Sequence, residues 1–302
     1  MKDKKWTSAD VPDQSGKIAI VTGSSSGIGF ETAKILALKN AKVIVAVRNI
    51  EKGNKAVEKI KERNQNSDLK VMKLDLADLN SVNEFAKNFK EKYNRLDLLI
   101  NNAGVMVPPY TKTSDGFELQ FGTNHLGHFA LTGQLFDLLK NTEDSKIVNV
   151  SSGAHKAGNI NFEDLNWEKR KYKAWSAYGD SKIANLYFTF ELAKRLENSK
   201  TKMKVTAAHP GWTATELQRH SGLFSFLNNF FAMKQWQGAL PTLRAAVGNG
   251  SKSGDFYGPD GWQEMKGYPV KVESNDLSHN PEIAEKLWDI SEKLTGVSFN
   301  FN

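Results

Sequence analysis

From Lys17 onward, short runs of β-branched and aliphatic residues alternate with longer stretches whose apolar positions recur at three- and four-residue spacing. The short runs are Ile18 to Val21, Val43 to Val47, Val71 to Leu74, Leu96 to Ile100, Ile147 to Val150 and Val205 to Ala208. Most are apolar almost throughout, which is the pattern of a strand buried on both faces. The longer stretches, Phe30 to Leu38, Glu51 to Arg63, Ser81 to Tyr93, Phe117 to Leu139 and Ala177 to Leu196, carry the helical period and read as crossovers. This alternation predicts an α/β chain built on a doubly wound parallel sheet with helices on both faces. Between Trp212 and Gly250 the rhythm breaks, predicting an irregular, aromatic-rich insertion before a last short strand near Asp255 to Tyr257. No repeat, low-complexity tract or Pro/Gly linker interrupts the chain. A single domain over 1–302, with an insertion at about 212–250, is the expected organisation.

Composition narrows the chemistry. A chain of 302 residues with 39% hydrophobic content can bury a large core. It has no cysteine, which excludes a disulfide framework, a thiolate metal site and a cysteine nucleophile. Any chemistry must come from hydroxyls, lysine, histidine or carboxylates. The formal net charge of +7 would suit a nucleic acid, but the lysines are scattered among acids, as in Glu58-Lys-Ile-Lys-Glu-Arg63, and no binding motif accompanies them. A solvated basic surface with no nucleic-acid partner is expected, one that favours a phosphorylated ligand. The basic segment Met1 to Asp10 leads into no apolar run long enough for a signal peptide or a membrane span. The expectation is a soluble, cytoplasmic protein without stable membrane insertion.

The first strand runs into Val21-Thr-Gly-Ser-Ser-Ser-Gly-Ile-Gly-Phe30, which turns tightly and opens a helix. Glycines at 23, 27 and 29 let the backbone approach a pyrophosphate, whose charge then sits at the helix N-terminus. The spacing Gly-x-x-x-Gly-x-Gly differs from the common Gly-x-Gly-x-x-Gly fingerprint. Thr22-Gly-Ser-Ser-Ser-Gly-Ile-Gly29 resembles the nucleotide loop of the short-chain dehydrogenases/reductases, a Rossmann-fold family, and the resemblance extends over nearly the whole chain. It implies that Gly23, Ser25, Ser26, Gly27, Ile28 and Gly29 hold a nicotinamide cofactor.

The second strand ends Val43-Ile-Val-Ala-Val-Arg-Asn49. An enzyme selective for the cofactor without a 2′-phosphate usually places a carboxylate there for the ribose hydroxyls. Arg48 instead offers a planar fork that can clasp a 2′-phosphate, so NADP(H) is the expected cofactor. The family adds Asn49 as a second phosphate contact, and Lys52 is placed to assist. By the same resemblance, Asp75 and Leu76 flank the adenine. Asn101-Asn-Ala-Gly104 matches the family's Asn-Asn-Ala-Gly motif and brings Asn102, Ala103 and Gly104 to the cofactor. His209-Pro-Gly-Trp-Thr-Ala-Thr215 matches the turn that meets the nicotinamide carboxamide, implying contacts from Pro210, Gly211, Thr213 and Thr215. Many relatives carry an aliphatic residue where this chain has Thr213.

In Ala177-Tyr-Gly-Asp-Ser-Lys-Ile-Ala-Asn-Leu-Tyr-Phe188 a helix would place Tyr178 and Lys182 on one face, with Gly179 to Ser181 as spacer. A basic residue four after a tyrosine is expected about once in this chain by chance, so the pair alone decides nothing. Its company does. Ile147-Val-Asn-Val-Ser-Ser-Gly153 matches the family's strand ending in a substrate-orienting serine, assigned to Ser152 with Ser151 as the alternative. Asn124 in Thr123-Asn-His-Leu-Gly-His128 matches its asparagine and completes a catalytic tetrad. Tyrosine titrates about three units above neutral pH, so it needs roughly 4 kcal/mol of help to act as an acid/base. The Lys182 ammonium and the positive ring of the oxidised cofactor favour phenolate. Lys182 would also hold the nicotinamide ribose, Ser152 the substrate oxygen, and Asn124 a water in the proton relay.

Ala46-Val-Arg-Asn49, Asn124-His-Leu-Gly-His-Phe129 and the Leu287-Trp-Asp-Ile-Ser-Glu292 ending make the chain most similar to the retinol-dehydrogenase-like and WW-domain-oxidoreductase-like branch. No WW module and no apolar anchor run is evident. The insertion is crowded with Trp212, Leu223, Phe224, Phe226, Leu227, Phe230, Phe231 and Trp236 where this fold places a substrate lid. An apolar aldehyde or ketone is the implied substrate, with His155, Trp212 and Phe224 at the mouth. His125, His128 and His155 form no metal-ligand set, and no metal is expected. Ile183, Leu186, Tyr187 and Phe190 could face the core or a homodimer or homotetramer interface. The expected activity is NADP(H)-dependent interconversion of carbonyl and alcohol. The alternative is a catalytically silent NADP(H) sensor or scaffold, against which the intact tetrad argues.

Overall fold

Alternate residues along the inner strands leave the sheet in opposite directions, and two separate cores result. The structure is a computed structural model that describes residues 5–197, 199, 201–213 and 233–301. Strands β1 (Ile18–Thr22), β2 (Lys42–Val47), β3 (Leu69–Lys73), β4 (Leu98–Asn101), β5 (Lys146–Val150), β6 (Lys204–Ala208), β7 (Phe256–Pro259) and β8 (Pro269–Lys271) form one sheet in the order β3-β2-β1-β4-β5-β6-β7-β8. All pair in parallel except β8, which returns antiparallel to β7.

On one face Ile20, Ile44, Leu99, Ile147 and Val205 pack beneath α3 (Leu79–Lys90), α4 (Gly127–Asn141), α5 (Ala174–Glu197) and α7 (Pro281–Thr295). On the other, Val21, Val45, Ile100 and Val148 pack against α1 (Gly27–Leu38), α2 (Ile50–Lys61) and α6 (Gln235–Val247). The strand runs are continuously apolar because both faces are covered. At the centre the connections diverge, since β1 leads outward to β2 and β3 while β4 begins the opposite half. That switch point leaves a crevice beyond the carboxyl ends of β1 and β4, where ligands of this architecture bind.

Besides the short strand β8, three elements depart from the sequence reading. Gln235–Val247 is a regular helix within the span expected to be irregular. Pro241 inside it removes one backbone donor and obscures its period, yet nine of its residues are buried. The expected Phe117 to Leu139 helix is broken: Leu119–Phe121 leads into a π turn at Gly122–Leu126, and only then does α4 begin. The C-terminal helix α7 had clear signals, an Asn280 cap, Pro281 in its first turn and Gly296 in a left-handed conformation after its end. It packs on α5, where Ala284 and Leu287 meet Ile183 and Tyr187, so that part of the apolar stripe is spent inside the chain. Leu186 packs with Ala207 and Phe256, and the Phe190 ring stacks on His279. Among the described residues no helix is long and apolar enough to cross a membrane.

Candidate active site

The ends of β1 to β5 open on a cleft of about 530 Å³ that runs from the glycine loop to Tyr178 and Lys182. A Cβ at Gly29 would lie 2.5 Å from both Asn102 Nδ2 and the Gly23 carbonyl, and one at Gly23 would lie 2.9 Å from Ala103. Gly23 and Gly27 also take left-handed backbone conformations, with φ of 67° and 62°. The turn therefore presents backbone to the cleft at the N-terminus of α1. Ser26, the N-cap residue, makes no side-chain capping bond, so it does not compete for the amides of the first turn. These features fit a pyrophosphate. Ser25, Ser26 and Ile28 line the same wall.

Arg48 and Lys52 stand exposed on the cleft rim at the end of β2. Asn49 lies between them, and its Oδ1 accepts from the Lys52 amide at 2.9 Å as the cap of α2. Its acceptor is thus committed to the helix, leaving the side-chain amide to face a ligand. Asp75 is held by its own turn, with Oδ1 accepting from Ala77 N at 3.0 Å and its amide donating to Ser81 Oγ. Leu76 packs tightly on α4, where a Cβ at Gly127 would lie 2.4 Å from its carbonyl. Asn102 and Ala103 are tied to the glycine loop through Thr22: both amides donate to Thr22 Oγ1 at 2.9 Å, and Asn102 Nδ2 donates to the Thr22 carbonyl. Asn101 instead faces the core, bonding Thr132 and Asn149.

The second and third turns of α5 bring Tyr178 and Lys182 together, with Lys182 Nζ 5.6 Å from the centre of the phenol ring. Lys182 Nζ donates to the Val150 carbonyl at 3.1 Å, and burial lowers its pKa to about 8. Burial pushes the Tyr178 phenol up to about 12, and a hydrogen bond with Ser152 pulls against that rise. The two adjacent serines part company. Ser152 Oγ accepts from Ala154 N at 3.2 Å and reaches Tyr178, whereas Ser151 Oγ points back and donates to the Lys182 carbonyl. Asn124 lies in the π turn, a local widening that re-aims its residues. Its Oδ1 accepts from Val105 N at 2.8 Å, and its Nδ2 donates to the Val105 carbonyl and to Ser181 Oγ.

Gly179, Asp180 and Ser181 are more than a spacer. Close packing confines Gly179, since a Cβ there would lie 3.0 Å from the Ala154 carbonyl. Asp180 accepts from Asn159 N at 2.8 Å and pins the segment after Ser152, while Ser181 receives Asn124. Sequence spacing could not show this, because each partner comes from another part of the chain.

Beyond β6, Pro210 lines the cleft and Gly211 adopts a φ of 63°. Gly211 and Trp212 are clasped by the loop between β7 and β8: Trp212 N donates to the Met265 carbonyl at 2.8 Å. In the same loop Glu264 accepts from His209 Nε2 at 2.7 Å and pairs with Lys156. Thr213 is buried and its hydroxyl donates to the Pro210 carbonyl. Thr215 and Phe224 lie outside the described residues. His155 does not stand at an open mouth: it is fully buried beside Phe256, with Nδ1 2.7 Å from the Ser152 carbonyl. The cleft wall near Tyr178 is formed instead by Val105, Met106, Pro108 and Leu119. The Trp175 and Tyr178 rings meet edge to face with their centroids 6.2 Å apart. Among the described residues no cluster of side chains could hold a metal ion.

The sequence profile described as short chain dehydrogenase matches residues 17–223. The chain belongs to the short-chain dehydrogenase family. It is 41% identical over 298 residues to mouse (Mus musculus) retinol dehydrogenase 12, covering 97% of this chain and 90% of the relative. With human (Homo sapiens) retinol dehydrogenase 11 it shares 43% identity over 289 residues, covering 93% and 86%. These similarities place this short-chain dehydrogenase in the retinol-dehydrogenase-like branch. A solved structure of an uncharacterised protein from Mycobacterium paratuberculosis superposes with a TM-score of 0.83 at 40% identity, covering 98% of this chain and all (100%) of the other.

Several residues of this dehydrogenase's cleft carry no motif. Met106 and Pro108 follow Asn101-Asn-Ala-Gly104 in a loop where Val107 is held at φ 55° by a bond from its amide to Gln120 Oε1. A positive φ is unusual for a β-branched residue, and only the bond reveals how it is kept. Glu264 and the β7–β8 loop are likewise distant in sequence from the turn they clasp.

Proposed function

We propose that this dehydrogenase interconverts an apolar carbonyl compound and its alcohol with NADP(H), using Asn124, Ser152, Tyr178 and Lys182. The observation that carries the reading is the grouping of a protonated, buried tyrosine, a serine hydroxyl bonded to it and a buried lysine at one end of the cleft. A glycine loop fit for a pyrophosphate forms the other end. Bound there, the cofactor supplies or takes up the hydride. In the reducing direction the Tyr178 phenol gives its proton to the carbonyl oxygen, which Ser152 orients. In the oxidising direction Tyr178 must first lose its proton. From a pKa of about 12 that costs about 7 kcal/mol at pH 7, so positive charge near the ring is essential. Lys182 supplies part of that charge, and Asn124 holds the segment at Val105 and the helix at Ser181 on either side of it.

Arg48 and Lys52 on the rim favour a 2′-phosphate over free ribose hydroxyls. Met106, Pro108, Leu119 and Trp175 favour an apolar substrate, as do the names of the retinol dehydrogenase relatives. The direct test follows NADPH oxidation at 340 nm across a panel of aldehydes and ketones, including retinal. Turnover should appear on apolar carbonyls and fall at least ~10²-fold in Tyr178→Phe, with NADPH affinity nearly unchanged. No turnover across the panel, or undiminished turnover in the variant, would sink the proposal.

A further inference from the structure

Two histidines follow Asn124, and neither has a place in the chemistry above. His125 turns toward the C-terminal helix, where Nε2 meets Ser291 Oγ at 2.8 Å. His128 turns the other way and touches both ends of the site. Its Nδ1 lies 3.0 Å from the Asn124 main-chain carbonyl, and its Nε2 lies 2.9 Å from Thr22 Oγ1 at the root of the glycine loop. The ring is 1% exposed.

The hydrogen-bond inventory decides the tautomer. A carbonyl oxygen can only accept, so Nδ1 carries the proton toward Asn124. In a neutral ring Nε2 then accepts, and the Thr22 hydroxyl gives its one proton to Nε2 at 2.9 Å in preference to the more distant Ile100 carbonyl at 3.3 Å. The two acceptor positions of that hydroxyl take the amides of Asn102 and Ala103, each at 2.9 Å. Thr22 Oγ1 is thereby saturated, with one proton given and two received. Burial holds the His128 pKa down at about 4, and the nearby Lys182 charge adds to that effect, so the ring stays neutral throughout the working pH range.

We propose that His128 is a positioning residue that locks the catalytic π turn at Asn124 to the cofactor loop at Thr22, through a neutral ring protonated at Nδ1. The consequence is a continuous buried connection. It runs from the glycine loop and the Asn101-Asn-Ala-Gly104 segment through Thr22 and His128 to Asn124, then through Ser181 Oγ to the Tyr178 carbonyl. Seating of a dinucleotide on the loop and alignment of the tyrosine helix are thus mechanically linked. This inference rests on the reading of Asn124 and the glycine loop given under Proposed function.

Two substitutions separate the arms of the ring. In His128→Asn the side-chain amide takes the place of Nδ1, keeping the bond to Asn124 and losing Thr22. In His128→Gln the amide takes the place of Nε2, keeping Thr22 and losing Asn124. With retinal or the best carbonyl of the panel, His128→Asn should raise the NADPH dissociation constant about tenfold and leave kcat within about threefold. His128→Gln should do the reverse. A residue serving only to fill the core would weaken NADPH binding and lower kcat together in both variants, in step with lost thermal stability, and that result overturns the proposal. The tautomer needs no variant: long-range ¹H–¹⁵N spectra of the unsubstituted protein should show one histidine, assigned to position 128, protonated at Nδ1 and not titrating between pH 5 and 8. Protonation at Nε2, or titration in that range, also overturns it. Both the spectra and the dissociation constants are read without turnover, so they judge His128 even if the proposed reaction fails.

Discussion

The hydroxyl of Ser151 donates a 2.8 Å hydrogen bond to the main-chain carbonyl of Lys182. Ser151 lines the cleft, but that bond commits its hydroxyl to α5 and leaves Ser152 as the serine bonded to Tyr178. Ser152→Ala is expected to lower kcat about 10²-fold with little change in melting temperature. Ser151→Ala removes one bond to a carbonyl that α5 itself still satisfies and should cost about 0.5–1.5 kcal/mol of stability while keeping most of the turnover. Thermal melts and steady-state rates on the two variants check the assignment, and an exchange of their phenotypes would reverse it.

The reducing direction should lose activity on the alkaline side through Lys182. Burial lowers that lysine to about 8, so its charge is present below pH 8 and is lost as pH rises through that value. Tyr178, pushed up to about 12, keeps the proton it donates throughout. A plot of log kcat/KM against pH, which reports the free enzyme, should be flat from 6 to 7 and bend downward near 8. In Lys182→Arg the guanidinium stays charged, and whatever activity remains should lack that bend.

Cofactor selection should reside in the end of β2. Arg48 stands on the rim beside Lys52, and no carboxylate follows Val47 to hold ribose hydroxyls. In Arg48→Asp the affinity for NADPH should drop about tenfold to hundredfold while that for NADH holds or improves. Tryptophan fluorescence titration with both nucleotides measures this, and equal affinities in the unsubstituted protein would remove the argument.

Gly104 separates two members of the tetrad. A Cβ there would stand 3.0 Å from Asn124 Oδ1 and 3.6 Å from Lys182 Nζ. Gly104→Ala therefore crowds Asn124, which must give by a few tenths of an ångström, while Lys182 stays in ordinary contact, and kcat should fall severalfold through misplacement of Asn124. A rate equal to that of the unsubstituted protein would show that the space tolerates a methyl group.

Much of the fold was legible because its signals are local. The runs at 18–21, 43–47, 147–150 and 205–208 became strands with boundaries shifted by a residue, since a strand covered on both faces must be apolar at every position. β3 and β4 slipped by two residues because their flanks, Leu74 and Leu96, are buried without belonging to the sheet. The helix at 235–247 was hidden by Pro241, and β8 by having only three residues. Neither signal rises above the local background.

The site divides in the same way. Residue types and their order along the chain were enough to nominate the nucleotide loop, Arg48, Asn124, Tyr178 and Lys182 as candidates, because the family motif places each of them in a local context: the end of a strand or the early turns of a helix. Which serine hydroxyl is left for Tyr178, how His155 comes to be buried and what Gly179 to Ser181 do depend on partners far away in sequence. The same holds for His128, whose two bonds join a helix to a strand end 106 residues away. Hydrogen bonds are satisfied in three dimensions, and no periodicity along the chain encodes which distant acceptor a buried donor will find. The sequence alone determined the sheet, the order of the functional elements and the chemistry available to them; the tertiary structure decided which side chains are free to act and which are spent holding the others in place.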